Sequence, residues 1–362
     1  MNMNVTDRPQ ARVLVVDDSA FMRTALSRMI ASESGFEVVG TACSGSEALS
    51  KIAALDPDVV TLDVQMPGLD GVETLRLIMT QFPRPVIMVS ATTEEDAEIT
   101  FIALGVGAFD YVPKHLSAAS LDILHIRNDL IAKIRAAALS RKARSSPATS
   151  KKPPRASSSE HRVVLTPTPA IVAVGASTGG PKILQEMLPL LPRDLSVPLL
   201  IVQHMPPGFT APFAQRLNTL CSVSVREATH REILRPGVAY IAPAGMHLTV
   251  EHPSTSRAIL CLDTQPEDCL HIPSVDIMMK SVAEAFGNLA MGIILSGMGS
   301  DGAEGMKAIH RQGGLTIGQD EASCTVYGMP RACAELGLLS RVVPCSQIPA
   351  QILQAVHYRK RA

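Results

Sequence analysis

The chain has 362 residues, about twice the common size of a single domain, and its 33 Lys plus Arg nearly cancel 34 Asp plus Glu. That balance, with 46% hydrophobic residues, argues against an unstructured polyanion or a nucleic-acid-coating protein and supplies two ordinary cores. The absence of Trp, with four Tyr and eight Phe, disfavours stacking on single-stranded bases. Seven Cys form no C-x-x-C pair and are odd in number, so neither a disulfide framework nor a thiolate zinc site is indicated, and a reducing compartment fits best. No apolar run approaches eighteen residues; a signal peptide or membrane helix is not expected, and the cytoplasm is the expected location.

In chain order, RVLVVDD, PDVVTLDV, RPVIMVSA and GAFDYVPK read as strands, separated by helical patterns such as SAFMRTALSRMIA. This alternation predicts a parallel sheet with helices on both faces over residues 1–140, an acidic unit with eleven basic and eighteen acidic residues. Asp17 and Asp18 close the first strand and Asp63 closes a later one, so three carboxylates converge at the carboxyl edge of the sheet. Crowded carboxylates repel, and a hard cation such as Mg2+ relieves that repulsion through oxygen ligands. Ser90 ends another strand and Lys114 follows a fourth, placing a hydroxyl and an ammonium within reach of a phosphoryl group on Asp63. Helix capping is the competing reading for each Asp alone.

VVDDSAFMR, LDVQMPGLDG, VSA and YVPKH resemble, in order and spacing, the receiver domains of bacterial response regulators over roughly the first 130 residues. The resemblance implies Asp63 as phosphoacceptor, Asp17 and Asp18 with it as the Mg2+ site, Ser90 and Tyr111 as switch residues, and Lys114 as the phosphate-contacting lysine. His115 departs from the pattern, where a second Pro often follows the Lys.

Residues 141–159 read RKARSSPATSKKPPRASSS, with six basic residues and no acidic ones. Such composition cannot bury enough apolar surface to order itself, which predicts a flexible basic linker over 141–160 between units at 1–140 and 161–362. The second unit has sixteen basic and fifteen acidic residues and repeats the α/β style with AIVAVGAST, VPLLIVQHM, VAYIAPAG and NLAMGIILSGMGS.

Gly175-Ala176-Ser177-Thr178-Gly179-Gly180 follows a strand and precedes a helical run, the context in which a sharp turn exposes a serine hydroxyl. A phosphate-cradling loop is the rival reading, but neither G-K-[ST] nor G-x-G-x-x-G is present. His204 ends a second strand and Asp301 follows a third, so Ser, His and Asp are expected at one sheet edge, in the roles of nucleophile, base and orienting carboxylate. The order Ser…His…Asp differs from that of α/β-hydrolases and predicts a separate fold. The Met298 amide, with backbone N–H groups around Ser177 and Thr178, is the expected oxyanion hole. His247 and His271 are rival bases, ranked lower because neither closes a clear apolar strand, and the capping of a helix beginning near Gly302 is the competing reading for Asp301 alone.

VGASTGGP, QHMPPGFT, YIAPAGMH, PSVD, LSGMGSDGAEGM and QDEASCTVYGMP are similar to the catalytic domain of chemotaxis protein-glutamate methylesterases, from about residue 168 to the end. The resemblance implies Ser177, His204 and Asp301 as the triad, the Met298 amide in the oxyanion hole, a glutamyl methyl ester on a chemoreceptor's cytoplasmic helices as substrate, and glutamine deamidation in some members. Ile272, where Arg is frequent, and Ala244-Gly245, in place of a Gly-acidic pair, depart from the pattern and bear on receptor contacts. The expected architecture is two α/β domains, a flavodoxin-like receiver and a Rossmann-like, doubly wound hydrolase. A histidine kinase phosphodonor and a methylated chemoreceptor are the expected partners, with no nucleic acid and no membrane insertion. The unphosphorylated receiver is expected to block access to Ser177. A receiver-controlled nucleotide-binding protein and a non-catalytic adaptor are the alternatives; a DNA-binding output fits a near-neutral, aromatic-poor α/β unit badly.

Overall fold

Runs of β-branched and aliphatic residues bounded by Asp, Gly and Pro alternate with capped helices along the chain, and the computed structural model describes residues 11–91, 93–114, 120–145, 167–252 and 257–358. They form two compact units, one of Met1–Arg141 with Met205–Thr219 and one of Lys142–His204 with Leu220–Ala362.

The first unit runs β1 (Ala11–Val16), α1 (Ala20–Ala31), β2 (Phe36–Ala42), α2 (Gly45–Leu55), β3 (Val59–Asp63), α3 (Gly71–Gln81), β4 (Val86–Ser90), α4 (Glu94–Val106), β5 (Asp110–Pro113) and α5 (Ser120–Ser145). Its five strands lie in the order β2-β1-β3-β4-β5 with every pair parallel, the flavodoxin-like arrangement. β3 and β4 are buried along their whole length, which is why VVTLD and VIMVS are almost continuously apolar rather than alternating. Ser19, Ser44, Asp70 and Thr93 start four of the helices, each side chain accepting an N–H three residues on.

The start of the expected linker is helical. Helix α5 continues through Ser145, and Arg141, expected to open the linker, is held on it by ion pairs to Asp56 (2.7 Å) and Asp58 (3.4 Å). The rest of the expected linker, 146–160, lies outside the described residues, as does His115. By contacts Met205–Thr219 clusters with the first unit, and its Phe209 and Phe213 are fully buried.

The remaining elements are β6 (Ile171–Ala176), α6 (Gly180–Met187), β7 (Leu199–Gln203), α7 (Thr210–Leu220), β8 (Ser224–Glu227), β9 (Val238–Ile241), β10 (His247–Glu251), β11 (Ile259–Asp263), α8 (Val275–Phe286), β12 (Ala290–Ile294), α9 (Ala303–Arg311), β13 (Leu315–Gln319), α10 (Met329–Glu335), β14 (Arg341–Val343) and α11 (Ile348–Ala355). Seven strands form a wholly parallel sheet in the order β14-β13-β12-β6-β7-β9-β8. β10 and β11 make a separate antiparallel pair. The chain enters the sheet at β6, builds outward through β7, then returns to add β12 on the other side of β6. That reversal opens a crevice at the carboxyl ends of β6 and β12, where open α/β sheets place their ligands.

Candidate active site

Ser177 and His204 leave the sheet side by side. β6 and β7 pair up to Ala176 opposite Gln203, so the next residue on each strand is Ser177 and His204, and the His204 N–H donates to the Ala176 carbonyl (3.0 Å). The turn at Ser177 is held by its backbone: its N–H donates to Ser296 O (3.0 Å), and its carbonyl accepts from Gly180 N–H (2.8 Å) and from the buried Gln203 amide (2.9 Å). Gly179 adopts φ of +79°, and a Cβ there would sit 2.4 Å from Thr325, so this turn requires glycine.

His204 Nε2 lies 2.8 Å from Asp301 Oδ2. Because a carboxylate only accepts, the neutral ring carries its proton on Nε2 and its lone pair on Nδ1; Nδ1 is buried without a hydrogen-bond partner. The ring of His271 stacks on His204 at 4.0 Å. His247 stands elsewhere, fully buried, with Nδ1 accepting from Ser274 N–H (3.1 Å) and Nε2 3.2 Å from the Pro266 carbonyl. Those two bonds occupy both ring nitrogens and take His247 out of contention as the base.

Asp301 caps a helix, though not the one expected. It sits at the N-terminus of α8, accepting from the Ser274 hydroxyl (2.9 Å), Val275 N–H (2.8 Å) and Asp276 N–H (2.9 Å) as well as from His204. α9, which begins just after it, is capped from α8 instead: Asp276 Oδ1 accepts from Gly302 N–H (2.9 Å) and Gly305 N–H (2.8 Å). The two carboxylates thus cap each other's helices. Burial opposes the charge on Asp301, but the bond to His204 and the backbone donors outweigh it and hold the carboxyl well below the usual range.

The loop after β12 supplies the other wall. Gly297 N–H donates to Val326 O (3.1 Å), and its carbonyl accepts from Gly328 (3.0 Å) and Met329 (2.9 Å), which fixes the peptide leading into Met298. A Cβ on Gly297 would meet Met329 Sδ at 2.1 Å and Ser177 Cβ at 2.9 Å, so glycine lets this loop approach the serine. Ser296 Oγ donates to Thr178 O (2.8 Å) and accepts from Val326 N–H (2.9 Å), joining the serine turn to the same loop.

Gln203, Ser274, Asp276 and Ser296 lie inside the motifs QHMPPGFT, PSVD and LSGMGSDGAEGM, but the sequence assigns them no role. Ser274 also carries a local signal, a Ser immediately before an apolar periodic run, which is an N-cap signature. Ile272 and Gly245, noted separately in the sequence, are neighbours, joined by Gly245 N–H to Ile272 O (3.1 Å).

In the first unit, Asp17, Asp18 and Asp63 converge as expected, their ligand oxygens within 4.8 Å of one another. Asp17 and Asp63 are buried and Asp18 is exposed. Lys114 Nζ lies 2.6 Å from Asp63 and 3.0 Å from Asp17. Burial pushes the Asp63 carboxyl up to about 6 against the pull of Lys114. Burial disfavours the Lys114 charge as well, but its bonds to Asp63 and Asp17 prevail and raise its pKa. An all-oxygen set with one open, exposed member fits Mg2+, which keeps several waters.

Ser90 is turned into α4, its hydroxyl accepting from Thr100 Oγ1 (2.8 Å) and lying 3.3 Å from the Asp96 carbonyl. The Tyr111 ring is buried, and its hydroxyl has no hydrogen-bond partner. Tyr111→Phe is therefore expected to stabilise the protein by about 1 kcal/mol, since a buried unpaired hydroxyl is a net cost; a thermal melt without phosphodonor checks this.

A five-stranded parallel unit with a buried acidic pocket, joined to a doubly wound unit that brings Ser, His and Asp to its switch point, defines a receiver-linked hydrolase whose catalytic fold is distinct from that of the α/β-hydrolases. The family profile for CheB methylesterase matches residues 172–352, and that for the response regulator receiver domain matches residues 13–124. The chain is 44% identical, over 95% of its length and 99% of the relative's, to protein-glutamate methylesterase/protein-glutamine glutaminase 2 of Nitratidesulfovibrio vulgaris. It is 41% identical to the Pyrococcus horikoshii protein of the same description, covering 95% of this chain and 93% of that one. The crystal structure of the Thermotoga maritima CheB methylesterase catalytic domain aligns with a TM-score of 0.50 and 36% identity, over 51% of this chain and 98% of that one. The chain belongs to the CheB methylesterase family. Neither the nucleotide-binding nor the adaptor alternative is favoured by these matches. No helix among the described residues is long and apolar enough to cross a membrane.

Proposed function

We propose that this protein hydrolyses glutamyl methyl esters on the cytoplasmic helices of chemoreceptors, and deamidates glutamines there, under control of phosphorylation at Asp63. The observation that carries this reading is the register of β6 and β7, which sets Ser177 beside an imidazole whose Nε2 is tied to Asp301 and whose Nδ1 lone pair is free. Ser177 Oγ attacks the ester carbonyl as its proton passes to His204 Nδ1. Asp301 steadies the imidazolium, and the developing oxyanion is met by the Met298 and Thr178 amides. His204 then returns the proton to the departing methoxide, releasing methanol. Water, deprotonated by the same nitrogen, cleaves the acyl-serine to give glutamate and free Ser177. With a glutamine side chain the same sequence releases ammonia.

Asp63 takes the phosphoryl group from a histidine kinase, Lys114 contacts its oxygens, and Ser90 and Tyr111 respond as the switch. Mg2+, when bound by Asp17, Asp18 and Asp63, supplies positive charge against the phosphoryl oxygens. Phosphorylation relieves a block on Ser177. The test is methanol release from methylated receptor by the full chain, with and without a small phosphodonor and Mg2+. Release that rises severalfold with phosphodonor is expected, and in Asp63→Asn the ratio of the two rates falls to about one. No methanol release under either condition would overturn the reading.

A further inference from the structure

We infer that His247, through Ser274, is a positioning residue for Asp301 and hence for the hydrogen bond between Asp301 and His204. The inference rests on the proposed roles of Ser177, His204 and Asp301. His247 opens β10, outside the seven-stranded sheet, and is 1% exposed. Its Nδ1 faces an amide N–H, which can only donate, and its Nε2 faces a carbonyl, which can only accept. One form of the ring satisfies both: neutral, with the proton on Nε2. An imidazolium, or the other tautomer, would set N–H against N–H at Ser274.

The residue held in this way is the pivot of the Asp301 clasp. Ser274 donates its hydroxyl to Asp301 Oδ1 (2.9 Å), and the next two N–H groups in the chain, of Val275 and Asp276, donate to the same carboxylate. Three of the four donors on Asp301 therefore begin at the peptide that His247 fixes, and the fourth is His204. At the far side, Val250 N–H donates to Ser281 Oγ (3.1 Å), so β10 is tied to α8 a second time, two turns on. A shift of the Ser274 turn moves Asp301 relative to His204, and misplacement by about 1 Å costs up to about 100-fold in rate.

The test uses the full chain and two substitutions that divide the ring's functions. In His247→Asn the amide oxygen takes the place of Nδ1 and still accepts from Ser274. In His247→Gln the amide reaches the place of Nε2 and donates to Pro266, leaving the Ser274 N–H unpaired. His247→Asn is expected to keep kcat for methanol release within about threefold of wild type, and His247→Gln to lose about 100-fold in kcat, with KM little changed in both. The far-downfield proton resonance of His204 Nε2–H should persist in the Asn variant and shift or broaden in the Gln variant. Equal kcat in the two variants, or a loss in the Gln variant with the His204 resonance unmoved, would overturn the inference. Where His247→Gln does not fold, Ser274→Ala replaces it: a lowered kcat with a shifted His204 resonance supports the path, and wild-type kcat sinks it. Wild-type protein that releases no methanol would count against the hydrolase reading, while the resonance shift would still judge the hydrogen-bond path alone.

Discussion

Ser177→Ala is expected to lower methanol release from methylated receptor about a millionfold, to the level left by binding and oxyanion donors, while the melting temperature stays within about two degrees of wild type. The large effect follows from removing the atom proposed to form the acyl bond. The small one follows from how the turn is built. Its N–H is taken by Ser296 O and its carbonyl by Gly180 and Gln203, so the side chain does not hold the backbone in place. The positive φ at Gly179 and the close approach of Gly297 are likewise indifferent to Oγ. Release assayed by methanol oxidation, with circular dichroism as control, separates the two outcomes. A residual rate within about tenfold of wild type would mean that another group is the nucleophile.

Asp301→Asn is expected to lower kcat about 10,000-fold and to lower stability as well, by about 2 kcal/mol. The amide can present its oxygen to His204 and Val275, which share Oδ2, only by turning its N–H2 toward Ser274 and Asp276, both of which donate to Oδ1. Turned the other way, it satisfies Ser274 and Asp276 but sets its N–H2 against Val275 N–H and offers N–H to His204, which moves the ring proton from Nε2 to Nδ1 and removes the proposed base. Either orientation fails one side. The stability loss carries a pH signature. The folded Asp301 carboxyl lies below its ordinary value of 3.8, so its stabilising contribution is present above that pH and disappears as the pH falls through the lower, folded value. The gap in melting temperature between wild type and Asp301→Asn should be full at neutral pH and narrow below pH 3.8. A gap that is constant down to strong acid would mean that the carboxylate charge is not what the helix end binds.

Much of the first unit was legible because its strands are continuous apolar runs that end in Asp or Ser, and the chemistry sits at those ends. β2, with a half-exposed and irregular pattern, did not stand out, and neither did the short β8, the exposed edge strand β14 or the antiparallel pair β10–β11. Those elements carry weak periodicity because they lie at edges or outside the main sheet, where one face is not consistently buried. The capping role of Asp301 was misplaced by one helix for a related reason. Sequence reading assigns a cap to the next helix in the chain, whereas here Asp276 and Asp301 exchange helices across α8 and α9.

By itself the sequence determined that Ser177 and His204 follow adjacent strands and that Asp17 and Asp63 stand at strand ends, because strand runs, glycine turns and carboxylates are local features with local physical causes. Only the tertiary structure decided that His247 has both ring nitrogens engaged while His204 Nδ1 has no partner, and which helix Asp301 caps. Hydrogen-bond partners and burial are set by residues far apart in the chain, so no window of sequence contains both ends of the interaction that fixes a proton or a packing face.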